Sequence, residues 1–210
     1  MRWTPMVTCA AAALMGTAHA ADSTVYQDPE TGLTFSEYRA PHTLTEDVIY
    51  RIAAPGSVPA NTPYDVVIQI VAPSDIGWAG LAWGGRMPNC PLTVSWANGG
   101  NAVVSSRYAA SHTMPDVYDG ATYKIFTTGT HSDGNTWQYT ALCTGCTSWD
   151  STTLDPAGSI RLAYATSQEA PSDPSSPSSS FPAHEVSNYW EHDFAAAANA
   201  NFDEIVGGLQ

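Results

Sequence analysis

The sequence predicts an all-β protein: an antiparallel sandwich of two sheets, closed by one short helix. Three observations lead there. Short runs rich in Val, Ile, Thr, Tyr and Trp recur along the chain, several of them alternating with period two as half-buried strands do. Turn-forming combinations separate them, among them Asp-Pro, Pro-Gly, Asn-Gly-Gly and Ser-Asp-Gly-Asn. No stretch before residue 185 carries a helical period.

Taken in order, residues 1–20 read as a cleaved leader. Arg2 is followed by an apolar run from Val7 to Met15 and by the small-x-small site Ala18-His19-Ala20. The run is too short to span a membrane, and no later segment approaches about 20 apolar residues. The expectation is a secreted, extracellular product with residues 21–210 as one domain, soluble and monomeric. Strands are expected over residues 34–38, 48–52, 64–71, 78–83, 93–96, 102–107, 123–128, 137–143 and 160–165. The Pro/Ser-rich stretch 171–180 reads as a long surface loop returning the chain to the sandwich, because too few residues follow it for a second domain. The Ala-rich tail at 193–206 predicts one short helix, stopped by Gly207-Gly208. The layout is that of an immunoglobulin-like sandwich.

Charge narrows the partners. The formal charge of -13 includes Arg2, so loss of the leader leaves -14 and six basic side chains: Arg39, Arg51, Arg86, Arg107, Lys124 and Arg161. Nucleic acid and anionic membrane surfaces are poor partners for such a chain. Of the cysteines, Cys9 leaves with the leader. Cys143 and Cys146 are the natural disulfide pair, closing a tight local loop, and Cys90 is left as a free, buried thiol.

Few residues offer chemistry. No Gly-x-Ser-x-Gly is present, and no pair of carboxylates stands out as a glycosidase dyad, so binding or redox work is favoured over hydrolysis. In Cys143-Thr144-Gly145-Cys146-Thr147, Thr147 stands where covalent haem attachment needs His. Zinc lacks a second ligand pair, and a thioredoxin-like site lacks its βαβ setting, so a structural disulfide is favoured. His42, His112, His131, His184 and His192 remain. His184 stands out because it directly follows the Pro/Ser loop, whereas His131 lies in a turn and His192 is placed at the start of the tail. After the leader only Met87 and Met114 remain; Met87, at the end of an apolar run punctuated by glycine, is either core filler or a soft ligand for a metal or haem iron.

From Val25 to Leu209 the chain resembles the haem b cytochrome domain of fungal cellobiose dehydrogenases and its stand-alone iron-reductase relatives, a DOMON-like group. The resemblance rests on segments in order. Tyr26-Gln27-Asp28-Pro29-Glu30-Thr31-Gly32 comes first, then Trp78 and Gly84-Gly85-Arg86-Met87. Val94-Ser95-Trp96-Ala97-Asn98-Gly99, Val104-Ser105-Ser106-Arg107 and Met114-Pro115-Asp116-Val117-Tyr118 follow. Cys143-Thr144-Gly145-Cys146-Thr147-Ser148-Trp149, His184 and Asn199-Ala200-Asn201-Phe202 complete the series. The resemblance implies one non-covalent haem b per chain with Met87 and His184 as axial ligands of the iron. It implies Trp78, Trp83 and Trp96 as candidate haem walls, and His112 where the family has a tyrosine on a haem propionate. Arg107 is a second candidate propionate partner, and Arg86 favours anionic partners near the haem edge.

The activity implied is the carriage of single electrons. The donor would be an extracellular flavin or quinone dehydrogenase. The acceptor would be a lytic polysaccharide monooxygenase, a quinone or Fe(III), in the setting of lignocellulose degradation. Ferric-reductase activity is the one enzymatic expectation. Two other readings stay open at the level of sequence. A copper-dependent polysaccharide monooxygenase would need an N-terminal histidine, which cleavage before His19 would supply. A haem-free sandwich could bind carbohydrate through exposed Trp and Tyr.

Overall fold

The structure is a computed structural model that describes residues 21–210. The leader assignment, Cys9 and His19 lie outside the described residues. The strands are β1 (Thr24–Gln27), β2 (Thr34–Pro41), β3 (Asp47–Pro55), β4 (Val66–Pro73), β5 (Trp78–Ala82), β6 (Pro91–Asn98), β7 (Asn101–Tyr108) and β8 (Asp116–Val117). They continue with β9 (Thr122–Ser132), β10 (Thr136–Thr144), β11 (Ser148–Trp149), β12 (Thr152–Thr153), β13 (Ser159–Ser167) and β14 (Val186–Asp193). A 3-10 turn at Ala195–Ala197, β15 (Ala198–Asn199) and helix α1 (Phe202–Gly208) end the chain.

Two antiparallel sheets form the sandwich. The first runs β1-β2-β3-β4-β10-β9, with β15 added in parallel to β3, and the second runs β14-β13-β5-β6-β7-β8. All nine expected strands are present, with shifted ends. The core lies between the sheets because successive side chains of a strand point to opposite faces. Val66, Ile68, Ile70 and Ala72 of β4 alternate inward, and Tyr50, Tyr139, Leu81, Trp83, Tyr164 and Trp190 meet them in one buried cluster. Burying each such side chain contributes about 1.5–3 kcal/mol.

The outer face of the first sheet carries a polar row. Glu37, Arg51, Gln69 and Thr140 stand opposite one another on four successive strands. Arg51 Nε meets Glu37 Oε2 at 2.7 Å, and its Nη1 donates to Gln69 Oε1 at 2.6 Å. Gln69 Nε2 donates to Thr140 Oγ1 at 2.9 Å, and the Arg51 guanidinium lies 3.6 Å from the Tyr26 ring centroid. Next to this row, Phe202 of α1 seals an apolar patch with Leu33, Phe35, Ala53, Val67 and Phe126.

The tail departs from the single helix expected over 193–206. Asp193 still belongs to β14, and the helix covers only Phe202–Gly208, taking in both glycines. The Asn199 amide explains the break: Oδ1 accepts from Thr34 N, and Nδ2 donates to the carbonyls of Thr34 and Ala197 at 2.8 Å and 2.6 Å. These bonds hold the chain extended beside β3 and outweigh the helical preference of the alanines. The Cys143–Cys146 disulfide is present, and Cys90 is free and buried, where burial pushes its thiol pKa up.

Candidate functional site

The second sheet has an outer face built for contact rather than for water. Trp83 fixes which side is which. Its Nε1 donates to Thr93 Oγ1 at 2.9 Å, and Thr93 Oγ1 lies 2.5 Å from the hydroxyl of Tyr123 on the facing sheet. Leu81 and Trp83 therefore point inward, and Trp78, Gly80 and Ala82 point outward. Register carries the pattern across: Ala82 stands opposite Ala163 and Leu92, and Gly80 opposite Ala165 and Val94. Gly80, Ala82, Ala163 and Ala165 form a flat floor of hydrogens and methyls, with Ala163 and Ala165 half-buried. On the inward side, Tyr50 OH donates to Gly80 O at 3.1 Å and anchors β5. A Cβ on Gly80 would meet Trp78 Cζ3 at 3.1 Å and Ala165 O at 3.5 Å.

Trp96 and Arg107 rise beside this floor from β6 and β7. Residues 168–185, which join β13 to β14, pass over it as a strap. Trp96 Nε1 donates to the strap at Pro174 O (2.9 Å), and Phe181 of the strap packs against Trp78 with ring centroids 4.9 Å apart. Trp78 is buried, and its Nε1 has no hydrogen-bond partner among the described residues.

Met87 sits in the turn that follows β5. Gly84 and Gly85 make that turn possible: a Cβ on Gly84 would meet Cys90 Cβ at 2.7 Å, and one on Gly85, at φ 69°, would meet Arg161 O at 2.7 Å. Cys90 Sγ donates to Arg86 O at 2.9 Å, Asn89 N to Ala109 O at 2.8 Å, and Trp149 Nε1 to Asn89 O at 3.2 Å. Within this braced turn Met87 is half-buried against the main core cluster, while Arg86 is exposed. Arg86 has no carboxylate partner within the described residues, whereas Arg39, Arg51 and Arg161 are all ion-paired.

His184 lies two residues before β14 and is exposed, and the N–H of the intervening Glu185 donates to Thr166 O at 2.9 Å to start that strand. Because β5 and β14 are both antiparallel to β13, they run in the same direction. Met87 follows the end of one and His184 precedes the start of the other, so the two approach from opposite ends of the same floor. By register Val186 stands level with Ala79, three residues or about 10 Å from the end of β5 at Ala82, and His184 and Met87 lie in the segments beyond those two points.

The other expected residues divide clearly. Trp96 lies on this face. Trp83, expected as a wall here, points into the core on the far side of the sheet. His112 is exposed in the β7–β8 turn, which borders the Met87 turn through the Asn89–Ala109 bond. Arg107, expected at a propionate, directs its donors to the protein's own backbone. Nε bonds Ser105 Oγ at 2.6 Å, Nη1 bonds Pro115 O at 3.1 Å, and Nη2 bonds the carbonyls of Pro177 and Ser179 at 2.9 Å and 2.6 Å. Of its five N–H groups one is left over. His192 is not in the tail but fully buried in β14, its Nδ1 accepting from Trp190 Nε1 at 3.2 Å. Desolvation pushes its pKa down to about 3, which leaves a neutral core histidine. Among the described residues no three of His, Cys, Asp and Glu come together as a metal cluster.

Sandwich topology and sequence both match one class of protein. The chain belongs to the family described as the cytochrome domain of cellobiose dehydrogenase, whose profile matches residues 26–204. It is 29% identical over 184 residues to the pyrroloquinoline quinone-dependent pyranose dehydrogenase of Coprinopsis cinerea, a match covering 86% of this chain and 25% of that protein. The chain thus spans about a quarter of the curated relatives it matches. The crystal structure of the cytochrome b domain of the Coprinopsis cinerea pyranose dehydrogenase superposes with a TM-score of 0.78 at 26% identity, covering 88% of this chain and 94% of that one. The cytochrome domain of Myriococcum thermophilum cellobiose dehydrogenase shares the fold with a TM-score of 0.78 at 19% identity, covering 90% and 97%.

Proposed function

We propose that this chain is a haem b electron carrier in which Met87 and His184 take the two axial positions of one non-covalently held haem, seated over Gly80, Ala82, Ala163 and Ala165. The observation that carries the reading is the approach of one thioether and one imidazole from opposite ends of an apolar, small-residue floor. Two further features fit the group. The buried Trp78 Nε1 is a donor with no partner among the described residues. Imidazole and thioether together are a donor set suited to low-spin iron, and with no cluster of other ligands nearby the macrocycle would have to supply the rest.

When bound, the haem would supply a reversible one-electron couple, and with Met87 and His184 as its protein ligands the iron would offer O2 or substrate no ready access. The residues around it hold rather than react. The braced turn keeps Met87 in place and the strap keeps His184 in place, so little rearrangement accompanies electron transfer. His112, exposed beside the Met87 turn, is positioned to donate to a haem carboxylate, and Arg107 has only one N–H to add. Arg86, an unpaired cation in an acidic chain, favours anionic acceptors at the Met87 end, such as Fe(III) held by carboxylates. The kinship with a quinone-dependent dehydrogenase supports a flavin or quinone dehydrogenase as electron donor. A lytic polysaccharide monooxygenase and a quinone are the other acceptors in this reading, and the setting is extracellular.

The test is an absorption spectrum of the purified protein, oxidised and then reduced with dithionite. A Soret band with sharp reduced α and β bands is expected. Met87→Ala or His184→Ala should turn the spectrum high-spin or lose the haem. A preparation that takes up no haem, or two variants whose low-spin spectra are unaltered, overturns the assignment.

A further inference from the structure

A histidine in a long connection between strands is a poor ligand unless something fixes the connection. Residues 168–185 are rich in Ser and Pro and contain no strand or helix. They are nevertheless tied down at several points. Ser172 N donates to Ser180 O at 3.0 Å, which closes residues 172–180 into an Ω-shaped loop. Ser105 Oγ donates to Pro177 O at 2.5 Å. Arg107 then makes the largest set of contacts. Its Nη2 holds the carbonyls of Pro177 and Ser179, its Nη1 reaches the separate β7–β8 turn at Pro115 O, and its Nε is bonded to the same Ser105 hydroxyl. The guanidinium also lies 5.3 Å from the ring centroid of Phe181, three residues before His184.

This arginine is 3% exposed and bonds no carboxylate. Desolvation lowers its pKa, with Asp116 acting in the opposite direction. A fold that keeps a desolvated cation without an ion pair carries a cost, and the compensation here is geometric. The planar fork is the only side chain that can bond carbonyls from two separate segments and a hydroxyl on its own strand at once. Two of those carbonyls belong to prolines, whose fixed φ stiffens the backbone at the contact.

We propose that Arg107 is the positioning residue of this site: by clamping the strap between Ser105 and the β7–β8 turn, it sets where His184 stands. It acts through backbone and needs no contact with the cofactor. The proposal rests on the reading of His184 as an axial ligand, but the clamp itself is testable without haem.

The experiment compares Arg107→Lys and Arg107→Leu with wild type and with Arg39→Lys as an exposed control. In haem-free protein, hydrogen exchange over residues 168–185 should accelerate in both variants and not in the control, ahead of the rest of the sandwich. In haem-loaded protein, part of the low-spin signal should convert to high-spin, and haem transfer to excess apomyoglobin should be about tenfold faster or more, as loss of charge-assisted bonds implies. Lysine should rescue little, since it keeps the charge and loses the fork. Unchanged strap exchange with a uniform fall in stability makes Arg107 merely structural and overturns the proposal. A loosened strap with unchanged haem loss and spin state overturns it equally. If the Arg107 variants do not fold, Ser105→Ala removes one strap bond and the Nε acceptor, and must show the same two effects in milder form. Failure of the haem reading looks different: wild type then binds no haem, or His184→Ala leaves it low-spin, whatever the strap does.

Discussion

Filling the floor is the sharpest perturbation of the proposed seat. Ala165 is half-buried, stands opposite Gly80 and points outward with it. In Ala165→Leu three carbons enter the space above the floor, while the core side of β13, with Leu162, Tyr164 and Thr166, is untouched. At a half-exposed position the haem-free fold should change by no more than about 0.5 kcal/mol. A macrocycle pressed on that surface meets an overpacked contact, worth about 1–3 kcal/mol. That corresponds to about 5- to 150-fold weaker haem binding. The assay is Soret titration of haem-free protein, paired with its thermal unfolding, using exposed Ala157→Leu as control. Undiminished haem affinity in a folded Ala165→Leu protein would refute the floor as the seat, and so would an equal loss in the Ala157 variant.

Three other outcomes follow from the same contacts. His192 is neutral in the fold with its pKa depressed to about 3, whereas the unfolded chain protonates it near 6.5. Its contribution is therefore intact above about pH 6.5 and erodes below that by up to about 1.4 kcal/mol per pH unit; His192→Phe should flatten the acid limb of a denaturant-melt pH series. Arg51→Ala leaves buried Glu37 with only the exposed Arg39 as partner and strips Gln69 of one bond, and should cost about 3 kcal/mol in chemical unfolding, with no effect on the haem spectrum. Arg86→Ala should slow reduction of ferricyanide about threefold at low salt, with the difference shrinking as ionic strength rises and none seen for a neutral quinone.

How much of this could be read from the chain depends on how each element is buried. β3, β4 and β10 announce themselves because their inner residues alternate with Arg51, Gln69 and Thr140 on the other face. β5 is Trp-Ala-Gly-Leu-Ala, buried at every position. A strand covered on both faces has no polar alternation, so periodicity identifies the strand but not the side of Trp83. β14 carries Asn188, Glu191, His192 and Asp193, which look like the end of a loop; its inward pair is Trp190 and His192, and only β13 beside it makes it a strand. The spacing of Cys143 and Cys146 revealed their bond. Arg107 was legible as a site residue but in another role, a propionate partner, since a buried clamp and a ligand-facing arginine look alike until the strap is folded over it.

The outer faces of the two sheets make the strongest physical case for a ligand. A sandwich normally turns polar side chains outward, and the first sheet does so with Glu37, Arg51, Gln69 and Thr140, covering its one apolar patch with α1. The second sheet turns Trp78, Ala82, Leu92, Val94, Trp96, Ala163 and Ala165 outward instead. Its cover is a strap of Ser and Pro that contributes one large apolar side chain, Phe181, and leaves Ala163 and Ala165 half-exposed. Trp78, Ala82, Leu92, Val94 and Trp96 are buried beneath that cover, so the apolar surface this face leaves to water is that of Ala163 and Ala165. Met87, a thioether, follows the end of β5 and His184, an imidazole, precedes the start of β14 on that same sheet. The outer face of this sheet is thus apolar along its central strands and polar at its margins, where Arg161 pairs with Glu191 and where Ser105 and Arg107 hold the strap.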